Sequence, residues 1–182
     1  ALSAHPHAMF WLAVVAFAES SVFPIPPDVM IIPMILAARQ NAWKIAGIST
    51  IASVAGGLAG YALGFFLWDV VGQPLIDFYG YAEKFGEFRE GFGEYGALAV
   101  FVFGLTPFPY KVITLTSGFV QLDLLAFVVA SVLSRGLRFY LEAALLWKFG
   151  EPIRTFIEKR LELLSLVFAV LLVLGFVAIR YL

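Results

Sequence analysis

Long uncharged runs of apolar residues dominate this chain. No charged residue occurs from Ile45 to Trp68, and a helix over 44–68 would be about 37 Å long. That length crosses the hydrocarbon of a bilayer with some tilt. Runs of comparable character cover 122–147 and 163–182. Each of the three is predicted to be a transmembrane helix.

The composition agrees with a lipid environment. Hydrophobic residues make up 62% of the chain and charged residues 14%, against roughly 25% charge in soluble domains. There are no cysteines and the net charge is −1. Disulfides and thiolate sites are therefore excluded, and no basic surface for nucleic acid is expected. His5 and His7 have no third ligand nearby, so neither a metal nor a cofactor is expected.

Two further apolar stretches, 8–38 and 97–121, are interrupted by prolines. These are Pro24, Pro26 and Pro27 in the first stretch and Pro107 and Pro109 in the second. Proline lacks an N–H and clashes with the preceding turn, so each stretch should divide into two short helical arms. Such arms suit a re-entrant hairpin whose exposed backbone is buried in protein or faces water. A single kinked span is the alternative.

The two interrupted stretches resemble each other. Segments 23–29 (FPIPPDV) and 106–112 (TPFPYKV) share the pattern Pro-x-Pro-x-charged-Val. Each is followed by about ten apolar residues, a polar break and a full span, which defines repeats at 8–68 and 97–147. Because one span separates the hairpins, they should enter from opposite faces, as in the inverted repeats of secondary transporters. Their tips would meet near the midplane.

The predicted fold is therefore an all-α integral membrane protein with one membrane domain, 1–182. It consists of two re-entrant helical hairpins, each followed by a transmembrane helix, and a C-terminal transmembrane helix. Between the repeats, residues 74–95 carry aromatic residues on one helical face and glutamates on the opposite face. This pattern predicts an amphipathic helix lying on the membrane surface.

A stripe of small residues follows one face of the first span. Its members are Ala52, Gly56, Gly60 and Gly64. Small residues let helix backbones approach closely in lipid. The stripe is interpreted either as a seam against a hairpin or as a surface for tight packing or dimerisation, so a homodimer remains possible.

Several ionisable residues lie at membrane depth in the second span. Ser131, Arg135, Arg138 and Glu142 are spaced to share one helical face. An unpartnered Arg135 near the middle of the span would cost at least about 2.5 kcal/mol, so it needs a partner or water. An i, i+4 pair of Arg138 with Glu142 is one expectation.

The hairpins carry charged residues as well. Glu19 and Asp28 are candidate partners for Arg135, and Asp28 is also placed to pair with Lys111 at the other tip. Glu19 has no local cation, and a carboxylate without one in a low-dielectric site readily takes up protons. Glu19, Asp28 and Glu142 are thus candidate proton-coupling residues, although Glu19 would equally fit a carboxylate that faces water at headgroup level.

Two interpretations of the cations remain open. Lys111, Arg135 and Arg138 would form a binding site for an anion or a lipid headgroup if they converge. Alternatively, they belong to an internal network of salt bridges that only ties helices together.

The motifs resemble those of the DedA family of bacterial inner-membrane proteins, closest to its YqaA-like branch; the core domain is shared with eukaryotic lipid scramblases of the endoplasmic reticulum. Residues 17–20 (FAES) with 26–28 (PPD) resemble the acidic motif of the first hairpin. Residues 104–114 (GLTPFPYKVIT) resemble the second-hairpin motif, and 134–139 (SRGLRF) resemble the arginine motif. The second-hairpin motif normally holds two arginines, and only one basic residue, Lys111, remains here.

The resemblance implies a multi-pass protein of the bacterial inner (plasma) membrane. The implied function is movement of a phosphate-bearing lipid, a polyprenyl phosphate or a phospholipid, between leaflets, coupled to protons or sodium ions. The substrate-binding residues it implies are Pro107, Pro109, Lys111, Arg135 and Arg138.

A proton-coupled antiporter of small ions or solutes, with a role in membrane homeostasis, is the alternative. In it Glu19 and Asp28 would bind the cation and the arginines would be structural. An enzyme is not expected, because a lipid phosphatase or intramembrane serine protease needs a catalytic histidine and both histidines lie at one end of the sequence. A purely structural role stays open.

Overall fold

The computed structural model describes residues 7–21, 26–80, 82–106, 109–150 and Pro152. Within these ranges the chain is helical with short connections and no strand, which confirms the predicted all-α class. The helices are α1 Ala8–Ser21, α2 Asp28–Ala37, α3 Ala42–Leu67, α4 Gln73–Tyr79, α5 Ala82–Leu105, α6 Tyr110–Phe119 and α7 Leu124–Phe149. The predicted C-terminal span 163–182 lies outside the described residues, as does Pro107.

Two of the helices are long and apolar enough to cross a membrane. One is α3. A 3₁₀ turn precedes it and a π-helical turn follows it, so the continuous helix covers Arg39–Gly72. The other is α7. Asp123 begins α7 by accepting a hydrogen bond from the Ala126 N–H at 2.8 Å. Gly150, with φ +62°, follows its last residue. These helices correspond to the spans predicted at 44–68 and 122–147.

Prolines separate the shorter helices. Pro26 and Pro27 lie directly before α2, and Pro109, which has an extended backbone, lies directly before α6. Proline is tolerated at such positions because the first turn of a helix has no partner for its N–H groups. At 10 residues each, α2 and α6 are too short to cross a bilayer.

The region between the repeats differs from the prediction. The expected surface helix 74–95 is divided at Gly80, whose left-handed backbone (φ +70°) ends α4. No such break occurs near 95–97, where the prediction placed a boundary, and α5 continues into the second interrupted stretch. Neither a proline nor a left-handed glycine occurs there, so nothing stops the helix. The predicted bounds were wrong on both counts.

The small-residue stripe of α3 packs against both interrupted stretches. A Cβ atom on Gly56 would overlap the carbonyl oxygen of Phe17 in α1, and one on Gly64 would overlap that of Leu115 in α6. Gly118 of α6 meets the backbone of α3 equally closely. Of the interpretations left open for the stripe, close packing within the chain is the one observed, because α1 and α6 fill this face of α3.

Two hydrophobic clusters hold the helices together. The first joins α1, α2, α3 and α7 through residues that include Leu12, Ile31, Ile35, Ile45 and Phe139. The second joins α5, α6 and the start of α7 through residues that include Val100, Tyr110, Ile113 and Phe127. The buried polar side chains belong to neither cluster: Ser20, Ser49, Ser53, Thr114, Ser117, Ser131, Ser134 and Arg135.

The two ends of the interrupted stretch 97–121 lie close together in space. Arg89 donates a hydrogen bond to Gln121 Oε1 at 2.5 Å. A Cβ atom on Gly96 would lie 2.7 Å from Leu122 Cδ1. The end of α6 therefore returns to the level at which the apolar part of α5 begins.

Candidate functional site

Arg135 is the central charged group of the molecule. Its side chain is 1% exposed, and its Nη2 donates to Glu19 Oε2 at 2.9 Å. Its Nε donates to Ser53 Oγ at 2.7 Å. One guanidinium group thereby joins α7 to α1 and α3.

Aromatic rings complete the surroundings of this guanidinium. Its carbon lies 4.8 Å from the centre of the Tyr110 ring and 4.7 Å from that of Phe139. Cation–π contacts of a desolvated arginine contribute about 2 kcal/mol. The Tyr110 hydroxyl donates to Ser131 Oγ at 2.6 Å, which fixes the ring against α7.

Hydroxyl groups extend the network beyond Glu19. Ser20 Oγ donates to Glu19 Oε2 at 3.1 Å and lies 2.6 Å from Ser53 Oγ. The Thr114 hydroxyl of α6 faces the Ser20 carbonyl oxygen at 3.5 Å and the Lys111 carbonyl oxygen at 3.0 Å. The polar network therefore reaches three helices around α3.

Arg138 contacts both interrupted stretches at once. Its Nη2 donates to Asp28 Oδ2 at 2.9 Å, and its Nη1 donates to the Thr106 carbonyl oxygen at 3.2 Å. Asp28 is the first residue of α2, and Thr106 follows the last residue of α5. Arg138 keeps 20% of its side chain exposed, in contrast to the buried Arg135. The proline-interrupted ends of both stretches thus meet at one arginine.

Glu142 has a different partner from the one expected. The anticipated salt bridge with Arg138 is replaced by the pair of Arg138 with Asp28. The carboxyl group of Glu142 lies within hydrogen-bonding reach of the Asp28 carboxyl group. Glu142 Oε1 and Asp28 Oδ1 are both buried, and no donor from the described residues reaches either atom.

The other site predictions have mixed outcomes. Of the two carboxylates expected as partners for Arg135, Glu19 is the one that pairs with it, from a distant part of the sequence, and Asp28 pairs with Arg138 instead. Lys111 is partly buried in the first turn of α6, and Pro109 directly precedes that helix. Ser53 and Tyr110 were not predicted as site residues, since a serine beside a glycine stripe and a tyrosine in an apolar run are typical of packing positions.

The arrangement offers two arginines to three carboxylates inside a helical bundle. In the described parts of the chain, no group of three or more His, Asp or Glu side chains is placed to hold a metal ion. Guanidinium groups bind phosphate oxygens through the same geometry with which they bind carboxylates. An anionic phosphate is therefore the kind of ligand that the partly exposed guanidinium group of Arg138 can bind in exchange for Asp28.

Comparison with known proteins supports the resemblance noted in the motifs. The family model of the VTT domain matches residues 25–148. An uncharacterized protein of Haemophilus influenzae is 40% identical over 98% of this chain and 92% of its own length. An uncharacterized HI0703 homolog of Histophilus somni is 36% identical over 85% of this chain and 82% of its own length. No solved structure gives a significant match.

Proposed function

This chain belongs to the VTT-domain family, which includes the DedA proteins, and on that premise we propose that it moves a phosphate-bearing lipid between the leaflets of a membrane. Arg138 carries the proposal: it joins both proline-interrupted ends, and it is the more exposed of the two buried-site arginines. We place the protein in the bacterial inner membrane as a multi-pass protein.

Arg138 would bind the headgroup by changing its partner. A phosphate oxygen can replace Asp28 Oδ2 on the guanidinium group with little change of geometry, because both are anionic oxygen acceptors. Arg135 is fully buried and fixed by Glu19 and Ser53, so it would supply positive potential without moving. Lys111, in the first turn of α6, is the third cation of the proposed site.

Two helix N-termini support an anion at this place. Asp28 begins α2 and contacts Arg138, while Tyr110 begins α6 and faces Arg135. Short helices whose positive ends point at a midplane site bind anionic substrate groups in secondary transporters. The two interrupted stretches contribute one such end each.

We further propose that both stretches are re-entrant hairpins and form an inverted repeat. For the second stretch, the contacts of Arg89 with Gln121 and of Gly96 with Leu122 support a chain that returns to its starting level. For the first, Ala8 at the start of α1 and Ile35 near the end of α2 belong to the same hydrophobic cluster.

Leaflet exchange in liposomes tests the function. Vesicles containing the purified protein should exchange a fluorescently labelled phospholipid faster than empty vesicles. Arg138→Gln should slow this exchange about tenfold or more, since a hydrogen bond to a charged group is worth about 1.5–3 kcal/mol. Lys148→Gln removes an exposed cation from the same helix and should leave the rate unchanged. An Arg138→Gln protein as fast as the wild type contradicts the site assignment.

The same vesicles separate lipid movement from ion antiport. In the antiporter alternative, an imposed cation gradient drives proton flux in vesicles that contain no labelled lipid. Flux of that kind, together with lipid exchange no faster than in empty vesicles, would favour the antiporter and refute the lipid proposal.

A further inference from the structure

Two acidic side chains lie next to each other between α2 and α7. Asp28 is the first residue of α2, and Glu142 lies in the third turn from the end of α7. Their carboxyl groups are within hydrogen-bonding reach of each other. Asp28 Oδ1 and Glu142 Oε1 are both buried, and neither receives a hydrogen bond from the part of the chain that the structure describes. Buried acceptors without donors are uncommon and call for a missing donor.

A proton is the donor that satisfies this arrangement. Two ionised carboxylates repel each other because they carry the same charge. Since both are only acceptors, they cannot form a hydrogen bond with each other. One proton on either group gives the pair a donor and an acceptor and removes the repulsion. Carboxyl groups that share a site behave in this way in other proteins.

The neighbouring charges leave the pair one proton short of neutrality. Arg138 donates to Asp28 Oδ2 and compensates one carboxylate. Arg135, also on α7, is already compensated by Glu19 of α1. In α6, the Tyr110 hydroxyl donates to Ser131, and Lys111 lies in the first turn of the helix. In α3, the polar group that faces Arg135 is the hydroxyl of Ser53, which carries no charge. From α5, Thr106 presents only a carbonyl oxygen, which Arg138 occupies.

We propose that Asp28 and Glu142 hold a single proton between them and that this pair is the proton-exchanging group of the site. Glu19 is unsuited to the role because its Oε2 already accepts hydrogen bonds from Arg135 and from Ser20. The exchange transfers one proton between water and a carboxylate oxygen, and no other bond forms or breaks. Its participation in lipid transport rests on the proposed function, whereas the shared proton does not.

The pair also links protons to the headgroup. When a phosphate binds Arg138 in place of Asp28, the positive charge of Arg138 no longer compensates the Asp28 carboxylate. The two carboxyl groups then bind their shared proton more tightly. By linkage, the protonated pair in turn releases Arg138 to the phosphate more readily. Proton uptake and headgroup binding should therefore favour each other.

Infrared difference spectroscopy of the reconstituted protein detects such a proton directly. Between acidic and alkaline buffer, the wild type should show the C=O stretch of a buried protonated carboxyl group. Glu142→Gln should abolish this band while preserving shape and a hydrogen bond to Asp28, and Asp28→Asn should abolish it as well. Glu94→Gln, which alters an exposed glutamate of α5, is the control and should retain it.

Several results would overturn the proposal. It fails if the wild type shows no protonated carboxyl band, or if the band survives in Glu142→Gln or disappears in Glu94→Gln. A band that responds to sodium at constant pH would identify a cation site instead. A band that behaves as expected in a protein without lipid exchange would support the shared proton and refute the lipid function, so the two are tested separately.

Discussion

Arg135 keeps its positive charge inside the helix bundle because side chains of α1, α3, α6 and α7 contact its guanidinium group. Glu19 supplies the opposite charge, Ser53 an acceptor, and Tyr110 and Phe139 two aromatic faces. Removing one member of a buried pair typically costs about 3–5 kcal/mol, because the other charge stays behind uncompensated. We therefore propose that Arg135 is a structural anchor and that Arg138, whose side chain is 20% exposed, is the arginine that exchanges its partner.

Two serines of α3 provide a matched test of this network. Ser49 and Ser53 lie one turn apart and are both fully buried. Ser53 accepts a hydrogen bond from Arg135 and faces Ser20, whereas the Ser49 hydroxyl makes no hydrogen bond with any described residue. We expect Ser53→Ala to lower the free energy of unfolding by about 1–3 kcal/mol, the cost of an unsatisfied buried donor.

Ser49→Ala is the control, and it should be neutral or stabilising because no bond is lost. Thermal unfolding of both variants in the same detergent measures the difference. Equal effects of the two substitutions would contradict the role given to Ser53.

Among the elements, α3 owes its central position to glycine. The backbones of α1 and α6 approach it so closely that a methyl group has no room at Gly56 or Gly64. Lipid offers no hydrophobic drive for helix association, so this close packing is a main source of cohesion between the span and the interrupted stretches.

Gly64→Ala should therefore destabilise the protein, by about 1–3 kcal/mol for an overpacked contact. Gly136→Ala in α7 is the control, because its added Cβ would lie 3.7 Å from Thr50 Cγ2, an ordinary contact. The midpoints of thermal unfolding compare the two variants. A Gly136→Ala protein as unstable as Gly64→Ala would show that loss of glycine, and not the seam, is responsible.

How far the sequence predicts these elements depends on what limits each of them. The spans α3 and α7 and the breaks before α2 and α6 follow from hydropathy and proline alone, since both act within a few residues. The length of α5 could not be predicted from hydropathy, because a change from amphipathic to apolar character does not end a helix. Residue partners were the least predictable. The spacing of Arg138 and Glu142 permits an ion pair, but the long-range approach of Asp28 decides the partner.

At the scale of the whole molecule, the proposed inverted repeat requires that both proline-interrupted stretches enter the membrane and return to the same side. In that arrangement, Asp28 from one stretch and Thr106 from the other reach Arg138 from opposite faces. The folded arrangement agrees, since the end of α6 lies beside the start of the apolar part of α5. A stretch that passed straight through would carry its two ends to different sides of the membrane.

Cysteine labelling from each side of the membrane is the most direct measurement, because the chain has no native cysteine. Single cysteines replace His7 and Gln40, which flank the first stretch, and Glu94 and Gln121, which flank the second. An impermeant maleimide applied to right-side-out and inverted vesicles should label positions 7 and 40 from one face and positions 94 and 121 from the other. Labelling of the two ends of either stretch from opposite faces would contradict the account.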